Sequence, residues 1–240
     1  MMPKAPEAIP DELIADYTIS GAIPLVPNYW DNASDESQKE LNEKFNETEF
    51  SNSLERTKNK EVNYYGDTDT WLYTALDKYP IKDKSVCIVG STYPWYEAIA
   101  VNYGASDVVV IEYAERESFH ERVSYIKPDE VGDRKFDVCI SISSFEHDGL
   151  GRYGDPLNPV GDFDAMKSAK NYVKKGGYMF LAVPVGRDVL FFNAHRVYGG
   201  VRLPKLLENW EVLASIGFAE EHLTMYNPGP HQPLFILRNN

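Results

Sequence analysis

The sequence predicts a doubly wound α/β fold, a mostly parallel sheet with helices on both faces and an antiparallel hairpin at its C-terminal end. Three observations predict it. Four short apolar runs, KSVCIVGS, SDVVVIEY, FDVCISIS and YMFLAVPVG, lack polar alternation, as strands buried on both faces do. Stretches with helical spacing of apolar residues stand between them, as βαβ units require. Crossovers between parallel strands are right-handed, which winds such units into a Rossmann-like sheet.

Residues 1–30 are rich in proline and read as irregular. Residues 31–62 are polar and acidic, with Leu41, Phe45 and Phe50 as a thin apolar stripe. Residues 1–62 are therefore expected to be a partly helical extension, and 63–240 the folded domain. The segment YYGDTDTWLYTALDKYP reads as a helix, with Asp67 as N-cap, Trp71, Leu72, Ala75 and Leu76 as its apolar face, and Pro80 as its end. A second helix runs from Pro94 to Gly104. A third, DFDAMKSAKNYVKKGG, turns Phe163, Met166, Ala169 and Val173 towards the sheet and is closed by Gly176 and Gly177. LPKLLENWEVLASIGF reads as a last helix, with Leu203, Leu206, Leu207, Trp210 and Leu213 on one face. AEEHLTMYN and PLFILRN, split by the turn NPGPHQ, are expected to form the closing hairpin. That hairpin is a feature of methyltransferase sheets rather than dehydrogenase sheets. In such an order the strands holding Cys87 and Cys139 are neighbours at the sheet centre.

Composition narrows the partners. Acids outnumber bases 37 to 24 and the net charge is −13, with no basic stripe. Nucleic acid is not an expected partner. No stretch reaches the roughly 18 apolar residues of a membrane helix. The opening residues also lack the apolar core of a secretory signal, so no membrane association and a cytoplasmic location are expected. The two cysteines sit inside apolar runs and read as buried thiols.

In doubly wound sheets ligands bind outside the carboxyl ends of the strands. Gly90, Ser91, Thr92 and Tyr93 follow the first strand of the domain at that end. Glu112, with Tyr113 beside it, ends the next strand 22 residues after Gly90. An acid about 20 residues on is placed to accept hydrogen bonds from ribose hydroxyls. A full G-x-G-x-x-G is absent, and a tight turn alone would also use Gly90. The third strand opens at Ser143 into a long glycine-rich loop holding Glu146, His147, Asp148, Arg152, Asp155 and Asp162. A polar loop of this length at this end reads as a site. Capping of the loop is the competing reading for Glu146 and His147. A metal held by His147, Asp148 and Asp155 fits no specific ligand spacing. A second polar loop carries His195 and Arg196 among Phe191, Phe192 and Tyr198.

Through YYGDTDTWLY, VGSTYPWYEA, VVVIEY, SSFEHDGLGRYGDP and FNAHRVYG the chain resembles the domain of unknown function 268 family, over about residues 62–238. That family is similar to class I S-adenosylmethionine-dependent methyltransferases in fold, and some of its members look associated with glycan modification. The resemblance implies S-adenosyl-L-methionine as cofactor and a small-molecule or glycan acceptor carrying a sugar hydroxyl. Gly90, Ser91, Thr92, Tyr93, Glu112, Tyr113 and Ser143 are the expected cofactor contacts. His147 or His195, with Glu146, is expected to take the acceptor's proton, because histidine titrates nearest neutral pH. The two histidines should face each other across one pocket. Two other classes stay open. A short-chain nicotinamide reductase needs Tyr-x-x-x-Lys, which the sequence lacks. A non-catalytic methyltransferase-like scaffold would need no base.

Overall fold

The computed structural model describes residues 4–226 and 231–240. The N-terminal segment holds α1 (Asp11–Tyr17), β1 (Leu25–Asn28), α2 (Asp35–Glu43) and α3 (Glu47–Lys58). Then come α4 (Asp67–Lys78), β2 (Ser85–Val89), α5 (Trp95–Asn102), β3 (Asp107–Ile111), β4 (Val123–Ile126) and β5 (Phe136–Ile142). α6 (Gly161–Tyr172) leads into β6 (Val173–Ala182), the short strands β7 (Val189–Asn193) and β8 (His195–Val197), and the one-turn α7 (Leu203–Leu206). β9 (Glu211–Ile216) and β10 (Leu234–Arg238) complete the chain.

The main sheet has seven strands in the order β4-β3-β2-β5-β6-β10-β9. The first five are parallel, and β10 runs antiparallel to both neighbours. The chain enters at β2, winds outward through β3 and β4, then returns to β5. The crevice where ligands bind in such sheets therefore opens between β2 and β5. Cys87 lies opposite Cys139 in that central pair, and both are fully buried, as the sequence led us to expect. One face of the sheet packs Val86, Ile88 and Ile140 against Leu72, Leu76 and Ile99 of α4 and α5. The other packs Val109, Cys139 and Leu181 against Met166 and Ala169 of α6 and Leu203 and Leu206 of α7.

Three expected elements fold differently. The last helix stops after one turn, because Asn209 takes a left-handed conformation (φ +67°) and EVLASI continues as β9. Its alternation of side chains suits a strand paired on one edge. The closing hairpin is therefore β9–β10, with Leu234 opposite Ile216, and Glu220–Thr224 form a 3₁₀ turn instead of a strand. Part of the expected turn, residues 227–230, lies outside the described residues. The third helix ends at Tyr172, and Gly176 and Gly177 belong to β6. Gly177 is needed for close approach: a Cβ there would sit 2.6 Å from the Asp137 carbonyl oxygen. Asp67 is the first residue of α4, and Gly66 holds the cap position. β4 lies in a stretch for which the sequence reading named no element. Residues 1–30, read as irregular, contain α1 and β1.

The expected second loop is a hairpin. β7 and β8 pair antiparallel, and β1 adds parallel to β7, making a small three-stranded sheet. This sheet shares an apolar cluster of Ile9, Tyr17, Ile23, Leu150, Leu190 and Phe192 with the N-terminal segment and the glycine-rich loop. Among the described residues no helix is long and apolar enough to cross a membrane.

The glycine-rich loop is fixed by buried charge. Asp162, fully buried, accepts two hydrogen bonds from Arg202, at 2.6 and 2.7 Å, and one from the Tyr198 hydroxyl at 3.0 Å. Arg196, also buried, lies 3.9 Å from the same carboxylate and donates to the Asp148 carbonyl at 2.6 Å. The nearby arginines hold the Asp162 carboxyl below its usual range despite its burial. Removing one partner of a buried ion pair strands the others and costs about 3–5 kcal/mol. Asp162→Asn should lose stability of that order in urea unfolding. A loss under about 1 kcal/mol would show that this cluster does not hold the loop.

Candidate functional site

A cleft of about 960 Å³ opens at the carboxyl ends of β2, β3 and β5. All ten residues that the sequence singled out as cofactor contacts or catalytic groups line it. Gly90 directly follows β2, with φ +75° and its N–H donating to the Ile111 carbonyl. A Cβ at that position would come within 2.8 Å of Ser144 Cβ, so only glycine leaves the chain ends of β2 and β5 this close. This bare backbone makes the narrow cradle a nucleotide-type ligand needs.

Ser91 supplies shape rather than a free donor. Its N–H goes to Glu112 Oε2 at 2.9 Å and its hydroxyl to Glu97 Oε1 at 2.6 Å. Glu112 also accepts from the N–H groups of Tyr113 (2.8 Å) and Ala114 (3.4 Å), and so ties the turn after β2 to the turn after β3. A carboxylate has about four lone-pair sites, so capacity for a ribose hydroxyl remains. Tyr93 is tethered by its hydroxyl to Glu49 of α3 at 2.6 Å. Tyr113 is half exposed at the mouth.

The β5 end carries the reactive groups. Ser143 sits at φ +53° and donates its hydroxyl to Glu146 Oε1. Glu146 is buried in a 3₁₀ turn with His147, and its Oε2 has no partner. Burial pushes its carboxyl up to about 7. His147 bonds the Ala194 carbonyl through Nδ1 at 2.7 Å. A carbonyl only accepts, so Nδ1 carries the proton and Nε2 presents a lone pair, 3.6 Å from Glu146 Oε1.

Burial, then the charge of Arg152, holds His147 down at about 3, and the same two causes hold His195 at about 4. In this cleft the group poised near neutrality is Glu146, not a histidine, contrary to the ordinary titration range that singled the histidines out. The two rings also do not face each other across the pocket. They stand edge to face as neighbours, 6.4 Å apart, because β8 lays His195 alongside the turn that bears His147.

Two polar residues of the loop, Asp155 and Arg152, are engaged within the fold. Asp155 accepts from the N–H groups of Gly149, Gly151 and Tyr153, at 2.7 to 3.3 Å. It thereby closes the loop on itself, and among the described residues no group of three or more acidic, His or Cys side chains could hold a metal. Arg152 reaches Asn32 at 2.7 Å and lies over the Trp30 and Tyr153 rings. Tyr65, Gln232, Gln38 of α2 and Lys44 just after α2 also line the cleft and are not among the residues expected from the sequence. Tyr65 lies in the YYGD run that opens the helical motif, but no pattern in the sequence singles out Gln232.

The family described as Caenorhabditis protein of unknown function, DUF268, matches residues 83–227, more than half of the chain. No curated protein matches the sequence. Among solved structures, the chain is similar to Burkholderia thailandensis 1,6-didemethyltoxoflavin-N1-methyltransferase with bound 1,6-didemethyltoxoflavin and S-adenosylhomocysteine. The TM-score is 0.55 at 14% identity, covering 99% of this chain and 93% of that one. It is similar to the N-methyltransferase NodS from Bradyrhizobium japonicum WM9 in complex with S-adenosylhomocysteine, with TM-score 0.50, 14% identity, and 80% and 98% coverage. A Clostridium acetobutylicum S-adenosylmethionine-dependent methyltransferase gives TM-score 0.50 at 9% identity, with the same coverage. At these identities the likeness is one of fold: the class I methyltransferase sheet.

Glu97 offers a test of the buried acids. Fully buried beneath Ser91 with Oε2 unpartnered, it is pushed up from 4.5 to about 7 by burial. A carboxyl raised on folding favours the native state when protonated, and that contribution is lost as pH climbs from about 4.5 through about 7. Glu97→Gln should therefore melt several degrees above the unsubstituted protein at pH 8, at about 2–4 °C per kcal/mol, and no higher at pH 4. Equal shifts at both pH values would contradict this.

Proposed function

The chain belongs to the DUF268 family, and from that premise and the geometry of its cleft we propose that it is an S-adenosylmethionine-dependent methyltransferase acting on a hydroxyl, with a sugar hydroxyl of a glycan as the acceptor class. One observation carries the cofactor reading. The Gly90 cradle, the Glu112 carboxylate and the Ser143–His147 turn line a single cleft at the switch point of a class I methyltransferase sheet. S-adenosylmethionine bound there supplies a methyl group on a sulfonium, already a good leaving group. The protein's remaining work is alignment and removal of one proton.

In this reading Glu112 accepts from the ribose hydroxyls. The bare Gly90 backbone with Ser91, Thr92, Tyr93 and Ser143 shapes the seat of the methionine part. Tyr113 borders the mouth, and Tyr93 offers an aromatic ring for cation–π contact with the sulfonium. His147 Nε2 receives the acceptor proton, because its tautomer already presents that lone pair. Glu146, ionised, steadies the resulting imidazolium from 3.6 Å. His195, beside it, contacts the acceptor. The sugar hydroxyl rests on the family resemblance alone.

A second reading, a binding scaffold without turnover, draws support from the two histidines held neutral so far below pH 7. Calorimetric titration separates the readings in part. S-adenosylhomocysteine should bind and NADH should not. Glu112→Ala should weaken the adenosyl ligand by about tenfold or more, the worth of one charge-assisted hydrogen bond. Unchanged affinity would place the ligand elsewhere. With an acceptor in hand, His147→Ala should cut turnover by about 10²-fold and leave cofactor affinity intact. Full turnover in that variant removes His147 as the base.

A further inference from the structure

Two oxygen atoms in the cleft are buried and lack any donor: Glu146 Oε2 and Gln232 Oε1. Both residues are nearly inaccessible, at 1% and 2% exposure, and both line the cleft. They are one hydroxyl apart, since Gln232 Nε2 donates to Ser143 Oγ at 2.9 Å and Ser143 donates to Glu146 Oε1. The serine has one proton, and it is committed to the carboxylate. Ser143 can then only accept from Gln232, which fixes the amide with its nitrogen on the serine and its oxygen unpaired. Gln232 is held from behind as well: its backbone carbonyl accepts from the Thr68 hydroxyl of α4 at 2.8 Å. Buried acceptors left without donors are costly, and in a binding cleft they mark where a ligand's donors belong.

We infer that Glu146 Oε2 and Gln232 Oε1 form a subsite for a primary ammonium, the amino group at the amino-acid end of the adenosyl ligand. This inference rests on the adenosyl reading of the cleft. An ammonium carries several donors on one atom, enough for more than one acceptor, and its charge answers a carboxylate. A carboxylate or phosphate would meet two unpaired oxygens and be repelled. Filling the subsite also bears on the base. The groups facing Glu146 are Arg152, Arg196, Tyr65, Tyr153, Tyr198, Asp148 and His147, and in the empty cleft burial outweighs the two arginines and raises the carboxyl to about 7, so that near neutral pH it is divided between acid and carboxylate. A bound ammonium reverses that balance and drives the proton off Glu146. The carboxylate then stands ionised beside His147 Nε2, where it supports the imidazolium that proton transfer creates. Cofactor binding thus readies the base, and Gln232 is a ligand-contacting residue outside the sheet's glycine turn.

Calorimetry on the full chain with two probes tests this. S-adenosylhomocysteine carries the amino-acid end, and 5′-methylthioadenosine keeps the adenosine and thioether without it. Titrations in two buffers of different ionisation enthalpy read the protons exchanged. At pH 7 the first probe should release a substantial fraction of a proton and the second none. Gln232→Met should weaken S-adenosylhomocysteine about tenfold and leave 5′-methylthioadenosine within about twofold, and Glu146→Gln should do the same and abolish the proton release. Equal proton exchange by the two probes, or an unchanged affinity ratio in both variants, overturns the subsite while the adenosyl reading stands. Failure of both probes to bind the unsubstituted protein overturns the adenosyl reading, and the subsite with it.

Discussion

The site depends on one buried carboxylate. Asp162 opens α6, and its charge gathers Arg202, Arg196 and the Tyr198 hydroxyl from the far side of β6. Those partners come from the β7–β8 hairpin and the segment after it, so the ion cluster clamps the small sheet onto the glycine-rich loop. The two terminal nitrogens of Arg196 donate to loop carbonyls, including that of Asp148, while its Nε faces the Asp162 carboxylate at 3.9 Å without a hydrogen bond. A charge cluster of this kind is poor evidence for stability, because desolvation consumes most of the Coulomb gain. Its value here is positional. It sets β8 beside the 145–147 turn, which puts the Ala194 carbonyl on His147 and chooses the imidazole's tautomer.

The cleft that results has two walls of different origin. The floor is the ordinary product of a doubly wound sheet: β2 and β3 end in turns tied together by Glu112, over a glycine that could not carry a side chain. The far wall is built from the loop after β5, the β7–β8 hairpin, α2 and the approach to β10. Its chemistry follows from dryness. Burial lowers the histidines and raises Glu97, Glu146 and Asp148. Among the acids at this wall, Glu146 and Asp148 are therefore drawn towards the protonated form. A cationic ligand is the natural counterpart of such a wall, because it restores charge to acids that burial keeps protonated.

Much of this was legible in the sequence, for physical reasons. The runs around Cys87, Val109, Cys139 and Leu181 could only be buried parallel strands, and their ends had to converge on the switch point. That is why residues chosen at strand ends all reach one cleft. Local pattern failed where tertiary pairing decides. EVLASI carries apolar residues compatible with a helix, yet β10 offers it an edge, and Asn209 breaks the helix just before it. The FNAHRV stretch looked like a polar loop because its arginine is engaged across the fold by Asp162 and by the Glu146 and Asp148 carbonyls, which lie far off in sequence, while its histidine packs against Phe191 and His147. Gln232 carried no signal at all, since its part in the cleft comes only from the antiparallel return of β10. The histidines were singled out by an ordinary titration range that burial removes.

The central claim is that an adenosyl ligand lies across the ends of β2, β3 and β5. A crystal structure of the protein soaked with S-adenosylhomocysteine tests it most directly. The account predicts ribose density against the Glu112 carboxylate, the thioether sulfur over the Gly90 turn, and His147 Nε2 turned towards the space beyond the sulfur. Density for the nucleoside outside this cleft, or a ribose that does not touch Glu112, would contradict it.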